Sequence, residues 1–500
     1  MKTTRTTIAA FCALALVSCA QEIVTSQDEV NAGDRITRFT AEGTDTKTGL
    51  SWNSESELMN VKWCPTDKIN VNGSEFANTA TEAAISAVFE SAVGIEAAEE
   101  YIAVYPSTAT VNQDGTISAS LPKRQTAVAS SFGDNLNVSV AKSATTDLSF
   151  KNVLGMLRFK IAADNIYSVK ITGNDNEYLA GDIKVSFDDE GKPVASVVEN
   201  SNASKEVTIV SGNDTKVAIP KGTVVFALVA PQTFEKGITM TFTTVNYATD
   251  EVVKASKQGT AVRTSSNPLT VNPSTFKNLG DVGSNMNWYY SGVTLHSQYY
   301  SSTDEYVSQQ GNYLDLETCR TFWPIGSYSY CSEIDMGAAY STSSSGFSIT
   351  GFGANAKIHS FYNATNLNAY AGGTASSKDQ FGVNGTGWTS RNATYFYLYS
   401  DDQMNDEKFE ALKVTANPTT IEGTATYYHY TDSEHLTGNN GRVQSLDTVI
   451  AWNNGWAVKS VYIGFKTATG SPNKYGVIKL VTAGGSAKNS FIKFDYIIGK

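Results

Sequence analysis

Apolar and polar residues alternate along much of this chain, and a period of two predicts strands with one buried face. The clearest alternating runs are residues 36–39, 68–72, 101–105, 116–121 and 206–210. Clusters of Gly, Asn and Asp that favour turns separate such runs, at residues 173–176, 188–191 and 212–214. Short strands with frequent turns predict an all-β fold built from β-sandwich or barrel modules.

Two runs are apolar at nearly every position, which predicts strands buried on both faces. One contains Leu154, Met156 and Phe159, and the other covers Val224–Val229 and is stopped by Pro231, which cannot donate to a ladder. Residues 63–71 predict a strand, a turn at 65–67 and a second strand. Helical patterns are few and short, at residues 81–91 and 406–413.

The final residues also predict a strand. Ile492, Phe494, Tyr496 and Ile498 share one face, with Lys493 on the other. A preceding apolar run at 475–481 and the turn at 484–485 favour a hairpin within its own domain. The alternative is a strand that this chain donates to another subunit.

The first residues form a targeting segment rather than part of the fold. Lys2 and Arg5 precede an uncharged apolar run at residues 8–17, and these ten residues are too few to span a bilayer as a helix. They fit the apolar region of a signal peptide. The run ends at Ser18-Cys19, which resembles the lipobox of bacterial lipoproteins. The alternative is an ordinary secreted protein with a cysteine at this position.

The lipobox resemblance implies a signal peptide at 1–18 and a lipid on the Cys19 sulfur. Residues 19–33 then form a polar, flexible tether. Two or three acyl chains give stable membrane anchoring. Ala20, in place of Asp, favours the outer membrane by resemblance to other lipoproteins, and Gln21 with Glu22 is a weak candidate for a surface-export signal. The expected partner of Cys19 is therefore the outer-membrane lipid.

A change of composition near 280–287 predicts two regions. Residues 34–280 carry aliphatic strands and form a β-sandwich region, with a candidate split near 165. Residues 287–500 form a β-rich C-terminal domain, which holds all four histidines and five of the seven tryptophans.

The chain has a formal net charge of −11 and no basic runs, which argues against nucleic acid or anionic lipid as a partner. No cofactor or metal is predicted, because Cys-x-x-Cys and His-x₃-His pairs are absent from the sequence. Cys319 and Cys331 are candidates for a disulfide in an oxidising compartment, and a buried thiol is the alternative.

Several motifs of the N-terminal region together resemble the fimbrillin-like family, which comprises lipoprotein pilins and related surface proteins of anaerobic Gram-negative bacteria. They occur in order at residues 46–50, 61–71, 105–106, 117–125, 148–160 and 226–232. The resemblance implies β-sandwich subunits that assemble by strand donation after a protease cuts behind a basic residue. Arg35 and Arg38 are the candidate cleavage positions. The alternative is that both are surface charges on an edge strand.

The C-terminal half departs from that family and is rich in aromatic residues. Aromatic faces stack on sugars while amides contact hydroxyls, so this half predicts a glycan site, with host or dietary polysaccharide as the partner. The candidate residues are Trp452, Asn453, Asn454, Trp456 and Trp388. The alternative is that the aromatics are core residues of strands, which we favour for residues 395–397.

Catalysis finds little support, because the nucleophile-elbow, zinc-protease and phosphate-loop motifs are all absent from the sequence. The carboxylate pairs at 188–189 and 401–402 lie in turn-like contexts. The sequence therefore predicts a non-catalytic cell-surface lipoprotein that acts as a pilus-related structural, tip or adhesion subunit. The alternative function is a surface lipoprotein that captures polysaccharide.

Overall fold

The computed structural model describes residues 35–43, 49–53, 58–247, 249, 253–296, 311, 313–322, 333–341, 346–351, 395–399, 402–414, 450–452, 456–458, 461–467, 474–484 and 491–499. Almost all of their regular structure is β, which confirms the predicted all-β class. The only helix among these residues is α1, Asp406–Val414. None of the described helical structure is long and apolar enough to cross a membrane.

The strands are numbered in chain order. The first twelve are β1 Arg35–Gly43, β2 Gly49–Asn53, β3 Leu58–Lys62, β4 Lys68–Val71, β5 Ser74–Asn78, β6 Ser86–Glu96, β7 Tyr101–Tyr105, β8 Thr110–Val111, β9 Ile117–Leu121, β10 Arg124–Thr126, β11 Ser139–Ser143 and β12 Asp147–Asn152. The next twelve are β13 Gly155–Ile161, β14 Ile166–Gly173, β15 Gly181–Phe187, β16 Pro193–Val197, β17 Glu206–Val210, β18 Val224–Val229, β19 Gln232–Phe234, β20 Ile238–Thr244, β21 Val253–Ser256, β22 Thr260–Ser265, β23 Leu269–Val271 and β24 Phe276–Val282. The last eleven are β25 Asn287–His296, β26 Tyr313–Asp315, β27 Arg320–Phe322, β28 Met336–Ser341, β29 Gly346–Gly351, β30 Tyr395–Leu398, β31 Ile450–Trp452, β32 Trp456–Val458, β33 Val461–Lys466, β34 Tyr475–Gly484 and β35 Phe491–Gly499.

Seven of the first twelve strands close into a barrel, in the order β1-β12-β11-β7-β4-β5-β6. Its interior is aromatic and centred on Trp63, which is fully buried. The Trp63 ring meets the rings of Phe89, Tyr105 and Phe150 edge-on, with centroids 5.0, 5.6 and 5.1 Å apart. Such edge-to-face pairs add to the energy of burial, so this cluster is the core of the barrel.

Strand β7 is buried on both faces, whereas its alternation predicted one buried face. Tyr101 and Tyr105 point into the aromatic barrel core. Ile102 and Val104 instead join the larger core that follows it along the chain. The outer wall of the barrel is therefore an interface, which a strand pattern alone does not reveal.

The larger core packs beneath a ten-stranded sheet, in the order β10-β17-β14-β20-β22-β25-β35-β34-β33-β30. Smaller sheets lie around it: β18-β13-β24, β16-β15-β9-β8, β19-β23 and β21-β27-β26-β28-β29. Strands β22 and β25 join through the pair Thr260 and Tyr289, so one sheet continues across residues 280–287.

The helix predicted at 81–91 is wrong, because this stretch ends inside strand β6. Ala87 and Phe89 face the barrel core, and Phe89 lies opposite Phe39 of β1. Burial against that partner outweighs the helical propensity of the alanines. The second predicted helix is confirmed as α1, where the Asn405 side chain caps the helix by accepting the Lys408 N–H at 3.0 Å.

The other strand predictions are confirmed. The five alternating runs lie in β1, β4, β7, β9 and β17, and the two apolar runs become β13 and β18. At residues 63–71 the predicted turn is present, and the Asp67 carboxylate accepts the Cys64 N–H at 2.7 Å.

Candidate functional site

Strand β1 carries both predicted cleavage positions, pairs with β6 along most of its length and pairs with β12 over residues 40–43 only. It runs antiparallel to β6 and parallel to β12, and Phe39 and Ala41 are fully buried in the barrel core. The pairs with β12 begin only at Thr40, so Arg35 and Arg38 lie where β1 has one partner strand, and both residues are solvent-exposed. Their position agrees with surface charges on a strand edge, and cleavage behind either residue stays a prediction.

The Arg35 side chain is hydrogen-bonded to strand β6 at a β-bulge. Its Nε donates to the Val93 carbonyl at 2.6 Å, and one terminal nitrogen donates to the Gly94 carbonyl at 2.8 Å. The pairing of β1 with β6 shifts register between Ile36 and Arg38, opposite this bulge. Gly94 has φ +64° and its missing Cβ would lie 2.6 Å from the Ile36 oxygen, so only glycine fits.

A cut behind Arg35 or Arg38 would leave the barrel closed. All four pairs between β1 and β12 lie at residues 40–43, beyond both positions. The pairs with β6 at residues 39–42 also remain. Proteases prefer exposed loops, whereas both bonds lie within a paired strand, so cleavage of the folded chain would require local opening.

The last strand, β35, lies in the interior of the ten-stranded sheet. It pairs with β25 on one side and with β34 on the other. Ile492, Phe494, Tyr496 and Ile498 are all fully buried. The predicted hairpin with residues 475–481 is thus confirmed, and β35 is a structural strand of this chain.

A polar turn that the sequence did not single out lies against β25 and β35. Residues 315–320 connect β26 to β27, and two tyrosine hydroxyls donate to carbonyls within them. Tyr290 donates to Glu317 at 3.0 Å and Tyr496 donates to Leu316 at 2.7 Å. Burial raises the pKa of both tyrosines well above its usual value, so both remain donors at any physiological pH.

Within this turn, Asp315 accepts hydrogen bonds from the backbone N–H groups of Glu317 and Thr318 at 2.8 and 3.2 Å. Arg320 bridges Asp315, at 3.3 Å, and Glu333. Burial would lower the pKa of Arg320, but these two carboxylates outweigh it and raise the pKa. The Asp315-x-x-Thr318 pattern is the one signal of this turn in the sequence.

Cys319 lies in the same turn, where it is buried and has a left-handed backbone (φ +54°). Cys331 lies outside the described residues, so their pairing stays a prediction. Cys19, the signal peptide and the tether also lie outside them.

The predicted glycan site is described in part. Strands β31 and β32 form a two-stranded ladder in which Trp452 and Trp456 are direct register partners. Asn453, Asn454 and Trp388 lie outside the described residues. Residues 395–398 form strand β30, so the strand is confirmed, and the place of their side chains in a core stays a prediction.

The carboxylate pair at 188–189 lies in a turn. Asp188 accepts the N–H groups of Glu190 and Lys192 at 3.0 and 2.7 Å, which is the geometry of a turn-stabilising aspartate. Asp401 lies outside the described residues.

No family model and no curated protein matches this sequence. Among solved structures, the chain is similar to a candidate cell adhesion protein from Bacteroides ovatus ATCC 8483, with 12% identity, a TM-score of 0.30 and coverage of 49% of this chain and 92% of the other. It is also similar to a fimbrial protein from the same strain, with 11% identity, a TM-score of 0.17 and coverage of 93% and 100%. TM-scores this low establish neither a shared fold nor membership of a family.

Proposed function

We propose that this chain is a non-catalytic, lipid-anchored protein of the outer-membrane surface that serves as a pilus-related tip or adhesion subunit. The observation that carries the proposal is the position of β35, which is paired on both sides and buried in its own sheet. A strand held in this way is not available for donation to a neighbour. The chain is therefore suited to the end of an assembly, or to independent display, rather than to repeated polymerisation.

The proposed lipid anchor is supported by the sequence that precedes the first described strand. An apolar run at 8–17 leads directly to Ser18 and Cys19, and the first described strand begins at Arg35. Residues 19–33 then separate the lipid from the barrel. Because two or three acyl chains anchor stably, Cys19 holds the β-rich body at the membrane surface.

Strand β1 supports permanent anchoring. Processing behind Arg35 or Arg38 would separate the lipid from the barrel, and both bonds lie within the β1–β6 ladder. Two hydrogen bonds from Arg35 further hold its end of the strand. We therefore propose that the lipid stays attached to the mature chain.

Immuno-electron microscopy and co-purification from native outer membranes test this proposal. We expect the chain to be at the cell surface, in the membrane fraction, and sparse or terminal on any pilus. The Cys19→Ala variant should lose the membrane fraction while the fold is kept. Regular spacing along pilus shafts would contradict the tip role, and absence from the surface would contradict the whole proposal.

A second candidate, glycan capture, is favoured by one observation. In the β31–β32 ladder, the backbone positions of Trp452 and Trp456 are direct register partners. This register brings together the two tryptophans that flank Asn453 and Asn454 in the sequence, which supports the candidate glycan site.

A glycan array on the full chain tests this candidate. Binding should fall in Trp452→Ala and Trp456→Ala and stay unchanged in Trp52→Ala, a tryptophan of strand β2 in the N-terminal region. If the wild-type chain bound no glycan on the array, the glycan-capture proposal would be rejected.

A further inference from the structure

A half-open pocket of about 240 Å³ lies between the β20–β22 face and strands β23 and β24. Its floor is formed by Ile238 and Met240, which are almost fully buried. Their register partners across the ladder, Ser265 and Arg263, lie on the same face and form one wall. Leu269 lines the opposite wall, so the interior is apolar and the mouth is polar.

The Arg263 guanidinium lines this pocket, and Arg158 is hydrogen-bonded to one of the lining residues. Arg263 donates to the Asp281 carbonyl at 3.1 Å, and Arg158 donates to the side-chain oxygen of Asn278, a lining residue, at 3.1 Å. Each guanidinium has five N–H donors in a rigid fork. Among the described residues, Arg263 uses a donor on the Asp281 carbonyl and Arg158 uses a donor on Asn278, so further donors remain for a ligand. The Asp281 carboxylate is itself engaged by Lys160 at 3.3 Å, so it does not neutralise the arginines.

This combination selects a ligand chemistry. An apolar interior with the Arg263 guanidinium on its wall fits a carboxylate with an apolar tail, because arginine binds carboxylate oxygens in pairs. The positive mouth stands out in a chain of net charge −11. None of the described residues that line the pocket is aromatic, which disfavours a sugar.

The volume sets the size of the tail. An apolar cavity of roughly 150 Å³ holds benzene, so a pocket of about 240 Å³ has room for a ring with a short linker or for a leucine-sized group. We propose that this pocket binds a carboxylate carrying a short apolar tail. The same chemistry occurs in a free organic acid and in the C-terminus of a peptide that ends in an apolar residue.

Methyl NMR of the full chain labelled at methionine tests the proposal, because Met240 lines the floor. The probes are 3-phenylpropanoate as the free acid, and Gly-Gly-Gly-Leu with a free or an amidated C-terminus as the peptide. We expect saturable shifts of the Met240 methyl, assigned with Met240→Leu, and calorimetry supplies the affinity. Binding of the acid alone or of the free peptide alone would identify the source, and either supports the site.

Two variants locate the contacts. Arg263→Gln should weaken binding about tenfold or more, the usual loss for a hydrogen bond to a charged group. Ser265→Trp should block the mouth, while Arg38→Gln, which removes an exposed arginine of the barrel, should bind like the wild type. Equal affinity for 3-phenylpropanamide, or no Met240 shift with any probe at millimolar concentration, would overturn the proposal.

Discussion

The barrel at the start of the chain and the five neighbouring strands β25, β35, β34, β33 and β30 near its end use their terminal strands in the same way but build their cores differently. In the paragraphs below, the word ladder means these five strands. The first strand closes the barrel, and the last strand lies in the interior of the ladder, each paired on both sides. The barrel surrounds a separate aromatic core, whereas most buried ladder residues join the core of the strands before them.

This difference predicts different cooperativity. The barrel contacts the rest of the chain through one wall, where Ile102 and Val104 belong to the shared core. Among the described residues, the buried hydrophobic ladder side chains that do not join the shared core belong to a small cluster under α1, which includes Phe409 and Tyr462. We therefore expect damage to the ladder to spread to the middle strands, and damage inside the barrel to stay more local.

Removal of β35 should have the largest effect. A chain that ends at residue 490 loses five buried side chains, each worth roughly 1.5–3 kcal/mol, a sum comparable with the whole stability of a domain, roughly 5–15 kcal/mol. These are Ile492, Phe494, Tyr496, Ile497 and Ile498. Hydrogen exchange should show loss of protection in β25 and β34 and retention in β4 and β5. Lys493→Ala, on the exposed face of β35, is the control, and equal loss in barrel and ladder would break the distinction.

Trp63→Ala should destabilise the barrel by about 3–5 kcal/mol, the usual cost of deleting a large buried aromatic side chain. Its ring contacts three other rings in a fully buried site. Denaturant unfolding followed by hydrogen exchange should place the loss in β4, β5 and β7. Val93→Ala, at a position 72% exposed, should change stability by less than about 0.5 kcal/mol. A loss centred on β33 and β34 instead would contradict the separate barrel core.

Tyr496→Phe should cost about 1–3 kcal/mol, because it leaves the buried Leu316 carbonyl without its donor. The ring and its stack on Tyr290, with centroids 4.8 Å apart, are kept. Thermal unfolding gives the size, with Tyr178→Phe as a control outside the ladder. An unchanged melting temperature would mean that the turn at 315–320 does not depend on this hydroxyl.

The smallest effect concerns helix α1 and pH. Hydrogen bonds from Lys479 and Tyr462 lower the pKa of Asp406 in the folded chain. The stability that the ionised Asp406 carboxylate adds to the folded state is therefore present at pH values above its unfolded pKa of about 3.9. It is lost as the pH falls through the lower pKa of the folded state. The contribution is small, because the carboxylate is exposed. The stability difference between wild type and Asp406→Asn should disappear as the pH falls toward about 2, and a difference that persists there would contradict this assignment.

The local parts of the fold were predictable from the sequence. The pattern of side chains along a strand is local, so β17 and β35 follow from alternation and β18 follows from a continuous apolar run. A helix was wrongly predicted at 81–91, because the contact that makes this stretch a strand, Phe89 opposite Phe39, joins residues distant in sequence.

Long-range arrangement was not predictable for the same reason. The pairing of β22 with β25 depends on one residue pair across a change of composition. The hydroxyl of Tyr496 reaches a carbonyl 180 residues earlier. The carboxylate pocket takes residues from four strands, none of which carries a motif. Lipidation of Cys19, by contrast, stays a prediction that rests on adjacent residues alone, because residue 19 lies outside the described residues.

The measurement that tests the central claim most directly is intact and N-terminal mass spectrometry of the chain purified from native outer membranes. A permanently anchored surface protein predicts a mature chain that begins at Cys19, carries lipid on that residue and retains Arg35 and Arg38. A chain that begins at Ile36 or Phe39, or one that retains residues 1–18 without lipid, would contradict it.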